Sequence, residues 1–445
     1  MIFNIKPLSI SVLYALAFTI FTPIAVSSQT TILTAENVLE LALSSPVFLN
    51  ESTAKLHKAQ GELETARRWW VPSTTIGATS FSHTGNALNS NGVIFTDVVA
   101  KSADLGMGLS FNANSATGFS GVKSSKYALD ATVQEVRAER DLFVLACMNA
   151  YISATSATND YVFHLIAVEE LRDFEKQFES LVGLGLRPQS DVLIARTERM
   201  QMESKVLMLE AALVKMLTEL RAALGMPVMP EVDGKWPSIE SLLGISIASN
   251  SMSREYIQSN PPARQALTYR VEEAKSERSS LTKDIWMPEL RFSPMIGTLG
   301  RDFSSSSLSI TSEWVASLVL SFPLDNLFHG GKKKEADAKI DLYSARVSEW
   351  DLRNQAYRDG STARIELLKK ALNSQLESVY ASDLALEDAY LRLSHGLVDS
   401  MEIMQIERLR LESHSKAISL KEEIIKLEFE LITLTNPQWT NVVLR

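Results

Sequence analysis

One cysteine, Cys147, stands in 445 residues. A single thiol excludes an intrachain disulfide framework, and its place in a helical pattern makes it a small packed residue. There is no basic block and no aromatic-basic ladder, and the net charge is −9. Both argue against a nucleic-acid partner. Catalytic patterns are also missing. Gly330-Gly331-Lys332 lacks the spacing of a phosphate loop; its lysines read as residues just inside a membrane surface, or as solvation for a helix start. The histidines (His57, His83, His164, His329, His395, His414) are scattered, with no His-Glu-x-x-His pair. No serine sits in Gly-x-Ser-x-Gly. The sequence therefore predicts no enzyme, no metal and no cofactor.

Glycine and proline are scarce where it matters. Residues 123–224 hold one proline, Pro188, and glycine only at Gly183 and Gly185. That reads as helix broken once, a hairpin with arms 123–182 and 189–224. The first arm, at ~1.5 Å per residue, is on the order of 90 Å long; ordinary globular helices have ~10–14 residues. Just before it, Leu105, Met107, Leu109 and Phe111 share one face, and Gly106, Gly108, Ser110 and Asn112 share the other. Period two means a strand with one apolar and one small or polar face.

The unit occurs twice. A shift of 211 residues lays Ala316, Leu318, Leu320 and Phe322 over Leu105, Met107, Leu109 and Phe111, then Gly396 over Gly185 and Glu402 over Asp191. A shift of 216 lays Pro261-Pro262 over Ser45-Pro46 and Trp286-Met287-Pro288 over Trp70-Val71-Pro72. The five-residue difference falls between Pro72 and Phe111, where a loop is expected.

Residues 1–28 read as a secretory signal: Lys6, an apolar stretch over 8–21, and Ala25-Val26-Ser27 as the cleavage site. An uncleaved anchor is the alternative, although the run before Pro23 is short for a span of ~20 residues. No cysteine follows for acylation. The first repeat takes 29–224, with strands at 74–83 and 103–112 and the hairpin at 123–224. Thr34 caps its first helix, Ser45-Pro46 starts the second, and Pro72 stops it. Residues 84–102, rich in glycine and asparagine, read as a long loop. Residues 225–253 form a linker or equatorial segment folded on the outside of the helices, where Trp236 and Ile239 need cover. The second repeat takes 254–435, with strands at 290–299 and 313–322, a loop at 300–312 and the hairpin at 331–434. A tail of 436–445 follows Asn436-Pro437.

Val206, Leu209, Leu213, Met216, Leu220 and Ala223 make a heptad seam. Leu411, Ile418, Ile425 and Ile432 make another, beside a row of Leu420, Leu427 and Leu434, so the last helix expects neighbours on two sides. The fold class is mainly α with a small β part, internally duplicated. Four strands leave two open edges, and a membrane tolerates none. The smallest ordinary transmembrane barrels have ~8 strands, so copies must share one β-barrel that the helical hairpins continue as an α-barrel. Trp69, Trp70 and Trp286, just before the strands, suit the membrane interface or a packed helix-strand corner.

The doubled Trp-x-Pro, the Ser-Phe-Pro-Leu run at Ser321 to Leu324 with Gly330-Gly331, and the turns at Gly185 and Gly396 resemble the TolC-type outer-membrane factor family. The match spans essentially the whole mature chain. The resemblance implies a homotrimer with a twelve-stranded barrel in the lipid of the bacterial outer membrane and a helical tunnel in the periplasm. It implies passive efflux or type I secretion, with a periplasmic adaptor (membrane fusion) protein and an inner-membrane pump of RND, ABC or MFS type as partners. It also implies an aperture at the helix tips lined by acids: Glu402 and Gln405 fall on the family's places, Asp191 and Ile194 on those of the first repeat, and Asp399 lies nearby. Leu393 and Val398 stand where a tyrosine and an arginine latch the closed state, so a like-for-like latch is missing. An acid at each tip is equally a solvated charge favoured by the helix dipole. The competing class is a periplasmic coiled-coil scaffold or adaptor without a pore; it leaves the four strands unexplained.

Overall fold

A computed structural model describes residues 32–88, 91–238, 242, 261–284, 287–303, 306, 308–322, 330–394 and 397–435. The signal region, Ile239, Trp286, His329, His395, Gly396 and the tail lie outside the described residues, as does most of 239–260.

A two-residue strand, β1 (Ile32–Leu33), leads into α1 (Ala35–Leu43). The Thr34 hydroxyl accepts a hydrogen bond from the Asn37 N–H at 3.4 Å and caps that helix. Pro46 opens α2 (Pro46–Arg67), a position where its missing N–H costs nothing. After Pro72 come β2 (Ser73–Leu88) and β3 (Ile94–Asn114). The chain then enters α3 (Ser115–Gly183), 69 residues, or about 100 Å at ~1.5 Å per residue. It returns along α4 (Gln189–Leu224), which ends on the left-handed Gly225. A short β4 (Glu231–Val232) pairs in parallel with β1. The second repeat follows as α5 (Pro262–Asp284), β5 (Glu289–Gly300), β6 (Leu308–Ser321), α6 (Gly331–Ser394) and α7 (Ser400–Thr435).

The duplication is visible in the structure. Helices α4 and α7 both have 36 residues and begin 211 positions apart, at 189 and 400. Ser73 pairs with Ser110, and its counterpart Glu289 pairs with Ser321. The first shift is 216 and the second 211, so the length difference lies inside the strand hairpins.

The strands overturn one expectation. Residues 84–102 are not a long loop: β2 and β3 continue through them, pairing Thr84 with Val99 and Leu88 with Ile94 across a bulge at Gly85 and Ala87. Val93, Phe95, Val98 and Val99 are strand-forming residues, and the ladder satisfies backbone groups that a loop would leave to water. Likewise β6 begins at Leu308, inside the stretch read as loop.

The four long strands form one antiparallel sheet in the order β2-β3-β5-β6. Below it, α3 packs against α2 on one side and α5 on the other, and α5 packs against α6. The helix order α2-α3-α5-α6 therefore repeats the strand order. Further down, α4 lies on α3, and α7 reaches α6, α3 and α4. That agrees with the two apolar rows on α7, of which Leu411, Ile425, Leu427 and Ile432 are buried.

One core gathers where α1, α3, α4, α7 and the 225–238 segment meet, around Leu33, Val38, Met148, Tyr151, Leu220 and Phe429. Trp236 packs against it, with the Lys421 ammonium 5.3 Å over its ring. The Tyr151 hydroxyl donates to Asp233 at 2.8 Å. Cys147 is fully buried here, and burial pushes its thiol up to about 12. A second core near the hairpin tips holds Leu171, Phe174, Phe178, Val192, Leu393 and Ile403.

Candidate functional site

Two surfaces carry the chemistry. The first is the sheet. Residues paired across strands share a face, so the register shows which side chains lie together. One row joins Ile76, Met107, Ile296 and Trp314. Another joins Phe111, Phe292 and Leu318. Leu105, Leu109, Leu290 and Leu320 belong to the same face. It is bare in the protomer: Ile76 is 76% and Trp314 75% exposed. On β3 the apolar run from Phe111 to Ala103 covers eight residue steps, about 27 Å at ~3.4 Å each. Outer-membrane barrels carry an apolar band ~25 Å tall. Lys101 marks its far end.

The opposite face carries Thr75, Thr79, Asp104, Ser110, Asn112, Arg291, Ser293 and Ser317, interleaved with glycines. Gly77, Gly106 and Gly297 line up across three strands. A Cβ on Gly297 would lie 2.5 Å from the Leu105 carbonyl oxygen and 2.9 Å from Gly106 Cα. A Cβ on Gly106 would lie 2.8 Å from the Ile296 oxygen. Only glycine lets β3 and β5 approach this closely, and glycine kinks are what curve a sheet.

At the helix-sheet corner Trp69 meets Phe119 edge-on at 5.2 Å. Gly118 exists for this contact, since a Cβ there would fall 2.3 Å from the Trp69 ring. Trp69 is thus a packed corner residue, whereas Trp70 is exposed.

The second surface is the pair of hairpin tips. Gly185 is left-handed, with φ 73. Leu186 N–H bonds back to the Leu181 carbonyl at 2.9 Å, and Leu397 N–H to Arg392 at 3.0 Å. The two tips therefore close by the same six-to-one bond at equivalent positions. Leu184, Leu186, Leu397 and Met401 stand exposed there. Arg187 donates to the Val398 carbonyl, so the first tip is tied to the residue equivalent to Arg187 itself in the second.

The acids at these tips have different surroundings. Asp399 caps α7: its carboxylate accepts the Glu402 N–H at 2.8 Å. Glu402 accepts from Arg392 at 2.9 Å and stays half-exposed. Gln405 is exposed. Asp191 departs from the expected solvent-facing ring. It is 7% exposed, and the Arg187 guanidinium lies 4.0 Å from its Oδ2. Arg187 stands four positions before it, an i, i+4 spacing.

Sequence reasoning also missed the ion pairs that join the helices. Within the first hairpin, Glu175 accepts from Arg196 at 2.5 Å and from Arg199 at 2.6 Å. Between the repeats, Arg408 pairs with Glu198 and Arg410 with Glu170, while Glu407 on Arg410's own helix pairs with the same guanidinium. Burial alone would raise the Glu175 carboxyl, but the two guanidiniums hold it below the usual range. A depressed folded value gives stability that is complete above the unfolded value of ~4.3 and lost as pH falls through the folded one. The melting temperature of the wild type should therefore fall more steeply from pH 5 to pH 3 than that of Glu175→Gln; parallel slopes would remove this pair from the acid response.

Among the described residues no cluster of His, Cys, Asp and Glu is placed to hold a metal. No described helix is long and apolar enough to cross a membrane.

No family model matches the sequence, and no curated protein matches it. Solved structures do match the fold. The outer-membrane channel OprN superposes with a TM-score of 0.73 at 17% identity, over 91% of this chain and 90% of that one. The outer membrane protein VceC from Vibrio cholerae gives 0.71 at 17%, over 90% and 96%. The CmeC outer membrane channel of Campylobacter jejuni gives 0.73 at 13%, over 91% and 85%. The fold is that of the TolC-type outer-membrane factors.

Proposed function

We propose that this chain is one wall segment of an outer-membrane efflux duct, passive and without catalysis. One observation carries the reading: sheet and helix layer run in the same order, and among the described residues both stop at the same two sides. The β2 edge lies with α2, and the β6 edge with α6. An apolar-faced sheet with two open edges can enter lipid only by closing. Head-to-tail joining of β6 to the β2 of the next copy closes it and makes a ring.

The helices support this. Leu193, Met200, Leu207 and Val214 are exposed and spaced seven apart on α4, a second seam beside the one that faces α3. Leu352, Leu367, Leu384 and Leu391 are exposed on α6 at the other side. Each row would cover the other in a neighbouring copy. Three copies give twelve strands, as the family resemblance implies, above the ~8-strand minimum. The exposed leucines at the tips would meet the hairpin of a periplasmic adaptor, which in turn links the duct to an inner-membrane pump. A pore-free scaffold is disfavoured, because it gives the bare apolar face no role.

The test is fractionation with outer membranes, an oligomer on gels that collapses on heating, and conductance in a planar bilayer. A monomer that stays in solution without detergent would end the proposal. Within that assay, Glu402→Ala should lower cation selectivity, because its carboxylate is half-exposed at the tip. Asp191→Ala should leave selectivity nearly unchanged. Arg187→Ala should raise conductance several-fold, since it unties the tips and strands the buried Asp191 carboxylate. Breaking a buried pair typically costs ~3–5 kcal/mol, and parting the tips would relieve it. Equal conductance in wild type and Arg187→Ala would show that this tie does not hold the aperture.

A further inference from the structure

A groove between α3 and α5, just below the sheet, encloses about 210 Å³ and is lined by Phe119, Lys123, Glu272, Lys275, Ser276 and Lys283 with two further serines. Lys275 is paired to Glu272 at 2.6 Å. Lys123 and Lys283 have no carboxylate partner among the described residues; the Lys123 ammonium stands 5.8 Å over the Tyr127 ring. The groove is thus net positive in a chain whose net charge is −9. Exposed Lys332, Lys333 and Lys334 open α6, the helix beside α5.

Its position is the informative part. Lys123 is the ninth residue of α3, about 12 Å below the end of β3 at ~1.5 Å per residue. Side chains on a helix tilt toward its N-terminus, so Lys123 leans back toward the sheet. Phe119, exposed and in contact with Trp69, stands between the lysines and the apolar face. The side of α3 is set by Asn159, which donates to the Gly234 carbonyl at 3.0 Å. Lys123 precedes Asn159 by 36 residues, ten turns at ~3.6 residues per turn. It therefore faces the side covered by the 225–238 segment. In a closed ring that side is outer, because the same segment on the inner side would obstruct the duct.

We propose that this groove binds the phosphate of an anionic phospholipid in the inner leaflet, with its acyl chains rising past Phe119 along the apolar face. The inference rests on the outer-membrane reading above. Three features select a lipid over a free anion: the groove is at headgroup depth, it lies on the helices directly below the apolar face, and Phe119 stands at its upper end. Basic pockets beside membrane spans bind anionic headgroups on these terms.

The test uses the whole protein reconstituted in phosphatidylcholine vesicles. Brominated phosphatidylglycerol is titrated in, quenching the fluorescence of tryptophans such as Trp69. Wild type should prefer phosphatidylglycerol over phosphatidylcholine. Lys123→Ala/Lys283→Ala should weaken that preference about thirtyfold, the usual worth of two surface lysines facing anionic lipid. Lys123→Arg/Lys283→Arg should retain it, which also guards against a misfolded alanine variant. Inorganic phosphate should not compete. Competition by phosphate, or an unchanged preference in the alanine variant, overturns the lipid site while leaving the duct intact. Failure of the wild type to float with vesicles overturns both.

Discussion

Replacing Gly297 with valine should abolish the proposed heat-sensitive oligomer and leave the protein aggregated or protease-sensitive. The added Cβ would sit 2.5 Å from the Leu105 oxygen, a backbone atom that cannot swing aside. Gly106 cannot retreat either, because its own Cα is 2.9 Å from the same point. Overpacking usually costs ~1–3 kcal/mol. Here it strikes the central strand pair of the sheet, and the proposed ring would multiply it by the number of copies. Gly77→Ala is the control within the same row: a Cβ there meets nothing within 4 Å in the protomer. The pair is read by gel migration before and after heating, with limited proteolysis. A Gly297→Val protein that assembles and melts like wild type would show that the sheet does not bend at this row.

Arg410→Ala should destabilise the joint between the repeats, and more so at high pH. Arg410 lies on α7 and pairs with Glu170 of α3 and with Glu407 at 2.9 Å. Its guanidinium also stands 5.4 Å over the Phe163 ring. Glu407 is 2% exposed, and burial raises its carboxyl above the ordinary value. Removing the arginine leaves a buried carboxylate and its neighbour uncompensated, typically ~3–5 kcal/mol. The sign with pH follows from the raised value. The folded state takes up a proton on Glu407 more readily than the unfolded chain, so acid favours folding at this site. The deficit of Arg410→Ala should be largest near pH 8 and shrink as pH falls toward the usual glutamate range. Glu407→Gln should be neutral or mildly stabilising at pH 8. Melting curves at pH 8 and pH 5 decide it; an Arg410→Ala protein that melts like wild type at both would remove the arginine from the joint.

Much of this architecture can be read from short-range patterns. Alternation at Leu105, Met107 and Leu109 marks a strand whatever surrounds it, because side-chain direction repeats every two residues. A hundred residues almost free of glycine and proline mark a helical hairpin for a similar local reason. The repeat shifts of 211 and 216 fix the order of elements without reference to any contact. The stretch at 84–102 shows the limit. Glycine and asparagine there suggest loop, but long-range pairing with a strand overrides weak local preference.

The chain order alone determined the duplicated strand-and-hairpin plan and the shortage of strands for a closed wall. Tertiary structure decided everything that depends on residues far apart meeting. It put Gly106 against Gly297, tied Arg187 to Val398 and buried Asp191. It turned the Val206 seam inward and left the Leu193 seam bare. Periodicity says which face a residue shares with its neighbours in sequence. Only packing across the whole chain says what that face meets.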